Sequence, residues 1–192
     1  MPRRLKIRKD DAAIARSSGV LRYALAWLVG GAAAATLLVV LIGGDDEVTL
    51  PPVKQTQLED AARVARCEFR RPRPGEALDP PVEGPRSAAA LGPGVYDEPE
   101  RPESVVAALR EGAIVVQYRS GLDESRVEQL KDLQLAVPDG TIVLPAEATT
   151  SYEVTVTAWR RLLGCPRFTD AAIDAVRLFR GRFIGRGPDR RP

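Results

Sequence analysis

Few residues in this chain have the chemistry of a reaction centre. There is no histidine, which removes the commonest general base and metal ligand and leaves any acid–base work to carboxylates. The two cysteines, Cys67 and Cys165, stand far apart, so the C-x-x-C spacing of a thioredoxin-type redox pair is missing. No G-x-S-x-G, P-loop or G-x-G-x-x-G motif occurs. Four acids, Asp97, Glu98, Glu100 and Glu103, fall within seven residues; they offer oxygen ligands, but without EF-hand spacing they read as a solvated acidic loop. Six arginines, Arg177, Arg180, Arg182, Arg186, Arg190 and Arg191, crowd the C-terminal end. They read as the polar face of a last helix, favourably placed at its negative end; the sharper reading is contact with anionic lipid headgroups or acidic polymers. Trp159 and Tyr96 are expected in the core. No catalytic residue, metal ligand or cofactor is assigned.

The elements that would position these residues follow from periodicity. Thr56-Gln57-Leu58-Glu59 has the form of a capping box and opens a short helix to about Cys67, with Leu58, Ala62 and Ala65 on one face. Residues 70–102 are dense in proline, glycine and charge, which excludes helix interior and central strand; a disordered linker and an ordered coil wrapping the domain both remain open. A helix over 103–111 turns Val105, Val106 and Leu109 inward and stops at Gly112. Residues 113–118 (AIVVQY) read as a buried strand. Asp123 caps a helix to about Leu135, with Val127, Leu130 and Leu133 or Leu135 on its buried side. Pro138-Asp139-Gly140 marks a turn, residues 141–144 a short strand, and 152–159 (YEVTVTAW) an alternating one. Thr169 caps a last helix over 170–183 with Ile173, Val176, Phe179 and Phe183 apolar, and the tail GRGPDRRP reads as loose. The order α-β-α-β-β-α predicts a small α/β or α+β domain with helices on a three- or four-stranded sheet.

Residues 23–42 (YALAWLVGGAAAATLLVVLI) carry no charge over 20 positions. As a helix they would reach roughly 30 Å, the thickness of a hydrocarbon core, and Tyr23 and Trp27 suit its interface. The run is longer than a signal-peptide core and lacks an A-x-A-like exit, and it is too uniformly apolar for a core helix of so small a protein. Gly30-x-x-x-Ala34 and Gly31-x-x-x-Ala35 are spacings that let helices approach, though they arise by chance in such a composition. Residues 1–22 hold seven bases and two acids, a net +5, so the remainder must carry −3 to reach the total of +2. By the positive-inside rule the basic tail 1–22 stays in the cytoplasm, 23–42 is a single-pass transmembrane helix, 43–57 is a linker, and 58–190 forms an extracytoplasmic domain. Its mildly acidic balance argues against nucleic-acid binding. Outside the cytoplasm a disulfide is permitted, and one between Cys67 and Cys165 would staple the domain; two unpaired thiols are the alternative.

Several short runs, in order, carry a likeness to a known family: Pro80-Pro81-Val82-Glu83-Gly84-Pro85-Arg86, then Gly94-Val95-Tyr96-Asp97-Glu98-Pro99, then residues 106–116 around Leu109 and Gly112, then Thr157-Ala158-Trp159. Together, over about residues 60–190, the chain resembles the bacterial family catalogued as domain of unknown function 3105, whose members are often anchored by one N-terminal helix. The family pattern carries a histidine where this chain has Arg86, serine where it has Glu83, and H-x-L-E-H-G where it has Ala107, Arg110 and Glu111 around Leu109 and Gly112. Arginine has no lone pair for a metal, so the resemblance implies a degenerate member without the family's histidines. The expected role is a non-catalytic interaction or structural module of the cell envelope, with a protein partner or a histidine-bearing relative in the membrane. A carboxylate-based enzyme or metal-handling domain is the alternative.

Overall fold

The computed structural model describes residues 48–87, 89–146 and 151–189. The stretch 23–42, the basic residues before it, and Arg190 and Arg191 lie outside them. Among the described residues no helix is long and apolar enough to cross a membrane. The elements run α1 (Leu58–Ala65), β1 (Glu68–Arg70), β2 (Gly94–Val95), α2 (Pro102–Glu111), β3 (Ile114–Tyr118), α3 (Glu124–Ala136), β4 (Thr141–Pro145), β5 (Val154–Ala158), β6 (Arg161–Cys165) and α4 (Asp170–Phe183). The mixed α/β class holds, but the sheet has six strands, ordered β1-β6-β5-β3-β4-β2, rather than three or four. The β3–β4 and β4–β2 pairs are parallel, and β3–β5, β5–β6 and β6–β1 antiparallel.

Alternation along the strands divides the core. Ile114, Val116, Val143, Val154, Val156 and Leu163 face one side, where they pack with α1, α3 and α4; Val115, Ile142 and Leu144 face the other, against Val105, Ala108 and Leu109 of α2. With both faces covered, β3 and β4 read as near-continuous apolar runs. The strand expected over 152–159 is β5. Every position of it is buried, Thr155 and Thr157 included, and the Thr157 hydroxyl donates to the Val115 carbonyl (3.4 Å).

β6 follows β5 through two residues, Trp159 and Arg160, with Ala158 paired to Arg161. Arg160 sits at φ 55°, a left-handed conformation that usually calls for glycine or asparagine. Its backbone N–H donates to the Val82 carbonyl (3.1 Å) and its guanidinium pairs with Glu83, so contacts from a distant loop support the turn.

Between β1 and α2 the described residues form a coil, broken only by β2, across the α2 side of the sheet. Val82 is fully buried, and Ala90, Leu91 and Tyr96 pack against the smaller core cluster. Residues 48–57 also lie on the domain: the Lys54 N–H donates to Asp174 (3.0 Å), Arg177 donates to the Pro51 carbonyl, and Leu50 touches the larger core.

Three local expectations need correction. α1 begins at Gln57 with no side-chain cap; Glu59, which a capping box would turn back on the helix start, pairs with Arg182 of α4 (2.6 Å). Thr169 is the N-cap of α4 but its hydroxyl makes no capping bond. On α3 the buried face is Leu130, Leu133 and Gln134, while Leu135 points to solvent. Asp123 does cap α3, accepting from the Ser125 N–H (3.0 Å).

Cys67 and Cys165 are joined in a disulfide. The register that sets Glu68 opposite Gly164 brings the two Cα atoms to 4.2 Å. The bond fastens the end of α1 and the edge strand β1 to β6. Beside it Phe69, Phe179 and Phe183 meet at centroid separations of 4.9–6.1 Å, within the range of favourable aromatic pairs.

Candidate functional site

The family-like runs, scattered in sequence, divide into two groups in space. Gly94, Val95, Tyr96, Leu109, Thr157 and Ala158 serve the framework. Gly94 and Val95 form the edge strand beside Ile142 and Val143. The Tyr96 N–H extends that pairing to the Val143 carbonyl (2.8 Å), and its hydroxyl donates to the Gly92 carbonyl (3.0 Å). Leu109, Thr157 and Ala158 are buried. Pro80 follows a cis peptide bond and is buried, and Pro81 and Pro85 continue the coil.

The second group forms a chain of charged contacts at the C-terminal end of α2. Arg110 grips the Asp189 carboxylate with two parallel bonds, Nε to Oδ2 (2.7 Å) and Nη2 to Oδ1 (2.8 Å). Arg86, from the proline-rich coil, adds a third, Nη1 to Oδ2 (2.8 Å). The Arg110 guanidinium also lies 5.1 Å from the centre of the Trp159 ring, and Arg160 lies 5.8 Å from it, distances at which a cation is drawn to an indole face. Arg160 pairs with Glu83 (2.5 Å), which also accepts from the Gly75 N–H (2.5 Å), so Glu83 ties the β5–β6 turn to the coil. Trp159 and Tyr96 are half-buried and pack against the smaller core cluster, as expected of core rings, and Trp159 in addition faces two cations.

α2 ends where its sequence requires. Gly112 has φ 95°, a conformation natural to glycine, and a Cβ there would lie 2.7 Å from Gly185. The tail read as loose therefore docks. The Gly185 N–H donates to the Gly112 carbonyl (2.7 Å) and the Asp189 N–H to the Arg110 carbonyl (2.9 Å). Gly187 sits so close that a Cβ would fall 2.0 Å from the Arg110 carbonyl oxygen.

The charges are fixed. The hydrogen bond from Arg110 holds the Asp189 carboxyl below its usual range, and the same bond holds Arg110 above its own. Glu83 is held low, first by the Gly75 N–H and then by Arg160. Such a surface can recognise charge; proton transfer needs groups that change state near the working pH.

The other candidates fall elsewhere. Asp97, Glu98 and Glu103 are exposed and Glu100 half-buried, and among the described residues no group of three or more acids and cysteines could hold a metal ion. The α4 arginines tie down neighbouring segments: Arg180 donates to the Thr141 hydroxyl (2.7 Å) and the Asp139 carbonyl (2.8 Å), Arg182 pairs with Glu59 of α1, and Arg177 holds residue 51, while Arg186 is exposed. An open groove of about 570 Å³ lies between residues 48–55 and α1, α3 and α4. A cavity of about 30 Å³ beside Pro80 and Pro81 is bordered by Gln117, whose Oε1 is buried without a partner; it has room for one water. Asp189 escaped sequence reasoning. The one available signal was Gly185-x-Gly187, a spacing that permits close backbone approach.

A family described as "Protein of unknown function (DUF3105)" matches residues 77–181, more than half of the 192 residues. The match takes in Glu83, Arg86, Arg110, Gly112, Trp159 and Arg160 and stops before Asp189. No curated protein and no solved structure matches.

Proposed function

The chain belongs to the family of unknown function DUF3105, and from that membership and the charged site we propose that it is a non-catalytic interaction module of the bacterial cell envelope, anchored by residues 23–42 with its folded domain outside the cytoplasm. The observation that carries the reading is the set of fixed charges around Trp159. Positions 86 and 110, where the resemblance calls for histidine and glutamate, hold two arginines that bind one carboxylate. Guanidinium groups stay protonated and present planar donors, which suits recognition of an anionic group. The Cys67–Cys165 bond is of a kind that persists in oxidising compartments, and the uncharged stretch with bases before it supports the orientation.

The test is capture from detergent-solubilised membranes with wild-type chain and with Arg110→Gln. A partner retained by the wild type and lost by the variant, with thermal unfolding shifted by no more than about 1 kcal/mol, is the expected result. A tight stoichiometric metal on the purified chain, or a partner indifferent to Arg110, would overturn the reading; the metal would favour a metal-handling domain.

A further inference from the structure

We propose that Arg86 and Arg110 form a recognition site for an acidic peptide segment of a partner, and that the chain's own residues 185–189 occupy this site in cis. The proposal rests on the interaction-module reading and names the chemistry of the partner.

Three features set the contact apart from an ordinary surface ion pair. The carboxylate of Asp189 is read by two arginines from separate segments, one of them bidentate, an arrangement that selects for the planar two-oxygen shape of a carboxylate. The backbone is read as well: N–H groups of Gly185 and Asp189 reach the carbonyls of Gly112 and Arg110, which the end of a helix leaves without intrahelical donors. The approach between them admits only glycine, since a Cβ at residue 187 would collide with the Arg110 carbonyl and one at residue 112 with residue 185. Together these describe a short segment, Gly-x-Gly-Pro-Asp, docked by backbone hydrogen bonds and an acidic anchor.

The arginines lie within the family-matched region 77–181 and the occupant outside it. Residues 184–189 contain no further helix or strand, and the Arg86 side chain that meets Asp189 is more than half exposed. A partner segment with the same acidic anchor competes against this intramolecular ligand. Full affinity appears only when the tail is released.

The test uses the full chain in detergent and a fluorescent Gly-Arg-Gly-Pro-Asp peptide with an amidated C-terminus, followed by anisotropy. Asp189→Asn frees the site, and the peptide should bind this variant at least roughly tenfold more tightly than wild type. On the same variant, the peptide with Asn in place of Asp should bind roughly tenfold more weakly, as expected for loss of charge-assisted bonds. This second comparison holds the protein constant between its two arms, and the thermal unfolding of Asp189→Asn is read alongside it. Equal binding by wild type and Asp189→Asn, or equal binding of the two peptides, would overturn the proposal. So would wild-type chains exchanging tails as dimers in sedimentation while the peptide fails to bind, which would assign the site to a second copy. Failure of the peptide together with Arg110-dependent capture from membranes would sink this proposal alone; binding of the peptide by Asp189→Asn chains that capture nothing from membranes would sink the functional reading alone.

Discussion

At the scale of single residues, the chemistry rests on guanidinium and carboxylate groups whose charges are locked by mutual hydrogen bonds. The pH dependence follows from the depressed pKa of Asp189. A carboxylate held lower in the folded state than in the unfolded contributes fully above the ordinary carboxylate range and loses that contribution as pH falls through the lowered value. Protection of the residue 185 and 189 amides against hydrogen exchange should therefore be unchanged from pH 7 to about 5 and fall only below about 4; loss near neutrality would mean another group holds the tail. The disulfide gives a second prediction. Cys67→Ser with Cys165→Ser should lower stability by up to about 4–5 kcal/mol, the loop-entropy expectation for a closure of this length, read by chemical denaturation. Complete alkylation of both thiols without reductant would remove the staple from the account.

At the scale of elements, α2, β3, α3 and α4 were legible because each carries its own punctuation: Gly112 after α2, β-branched residues in β3, Asp123 before α3. Periodicity also gave most of the inner face of α4, where Val176, Phe179 and Phe183 are buried. The strand β6 was not legible. Its turn is Trp159-Arg160 rather than Asn-Gly, and Arg160 holds a left-handed backbone through Val82 and Glu83, residues more than 70 positions away. The edges β1 and β2 have three and two residues, too short for any period. Arg110 and Asp189 are 79 positions apart, so no local pattern joins them, and only the Gly185-x-Gly187 spacing marks the tail's side of the contact. Two substitutions test the packing. Phe179→Ala should cost about 3–5 kcal/mol, as for other buried aromatic truncations, because Phe179 is fully buried between Phe69 and Phe183. Gly112→Ala should cost about 1–2 kcal/mol from the left-handed backbone alone and should also dislodge the tail, seen as faster exchange at residue 185. A neutral Gly112→Ala would contradict the close approach.

At the scale of the whole molecule, one sheet is covered by three helices on one side and by α2 with the proline-rich coil on the other, and it is clamped by a bond between Cys67 and Cys165. The functional surface lies where the coil, the end of α2, the β5–β6 turn and the tail converge. A basic leader of +5, an uncharged stretch of 20 residues and a remainder of −3 place that surface, in the proposed reading, outside the cytoplasm. The most direct measurement is protease accessibility of the full-length chain in sealed right-side-out vesicles from expressing cells. The chain should sediment with the membranes, and protease added outside should remove the domain carrying residues 48–189 and leave the first 22 residues protected. A domain that stays protected until the vesicles are broken, or a chain recovered in the soluble fraction, would contradict the proposed reading.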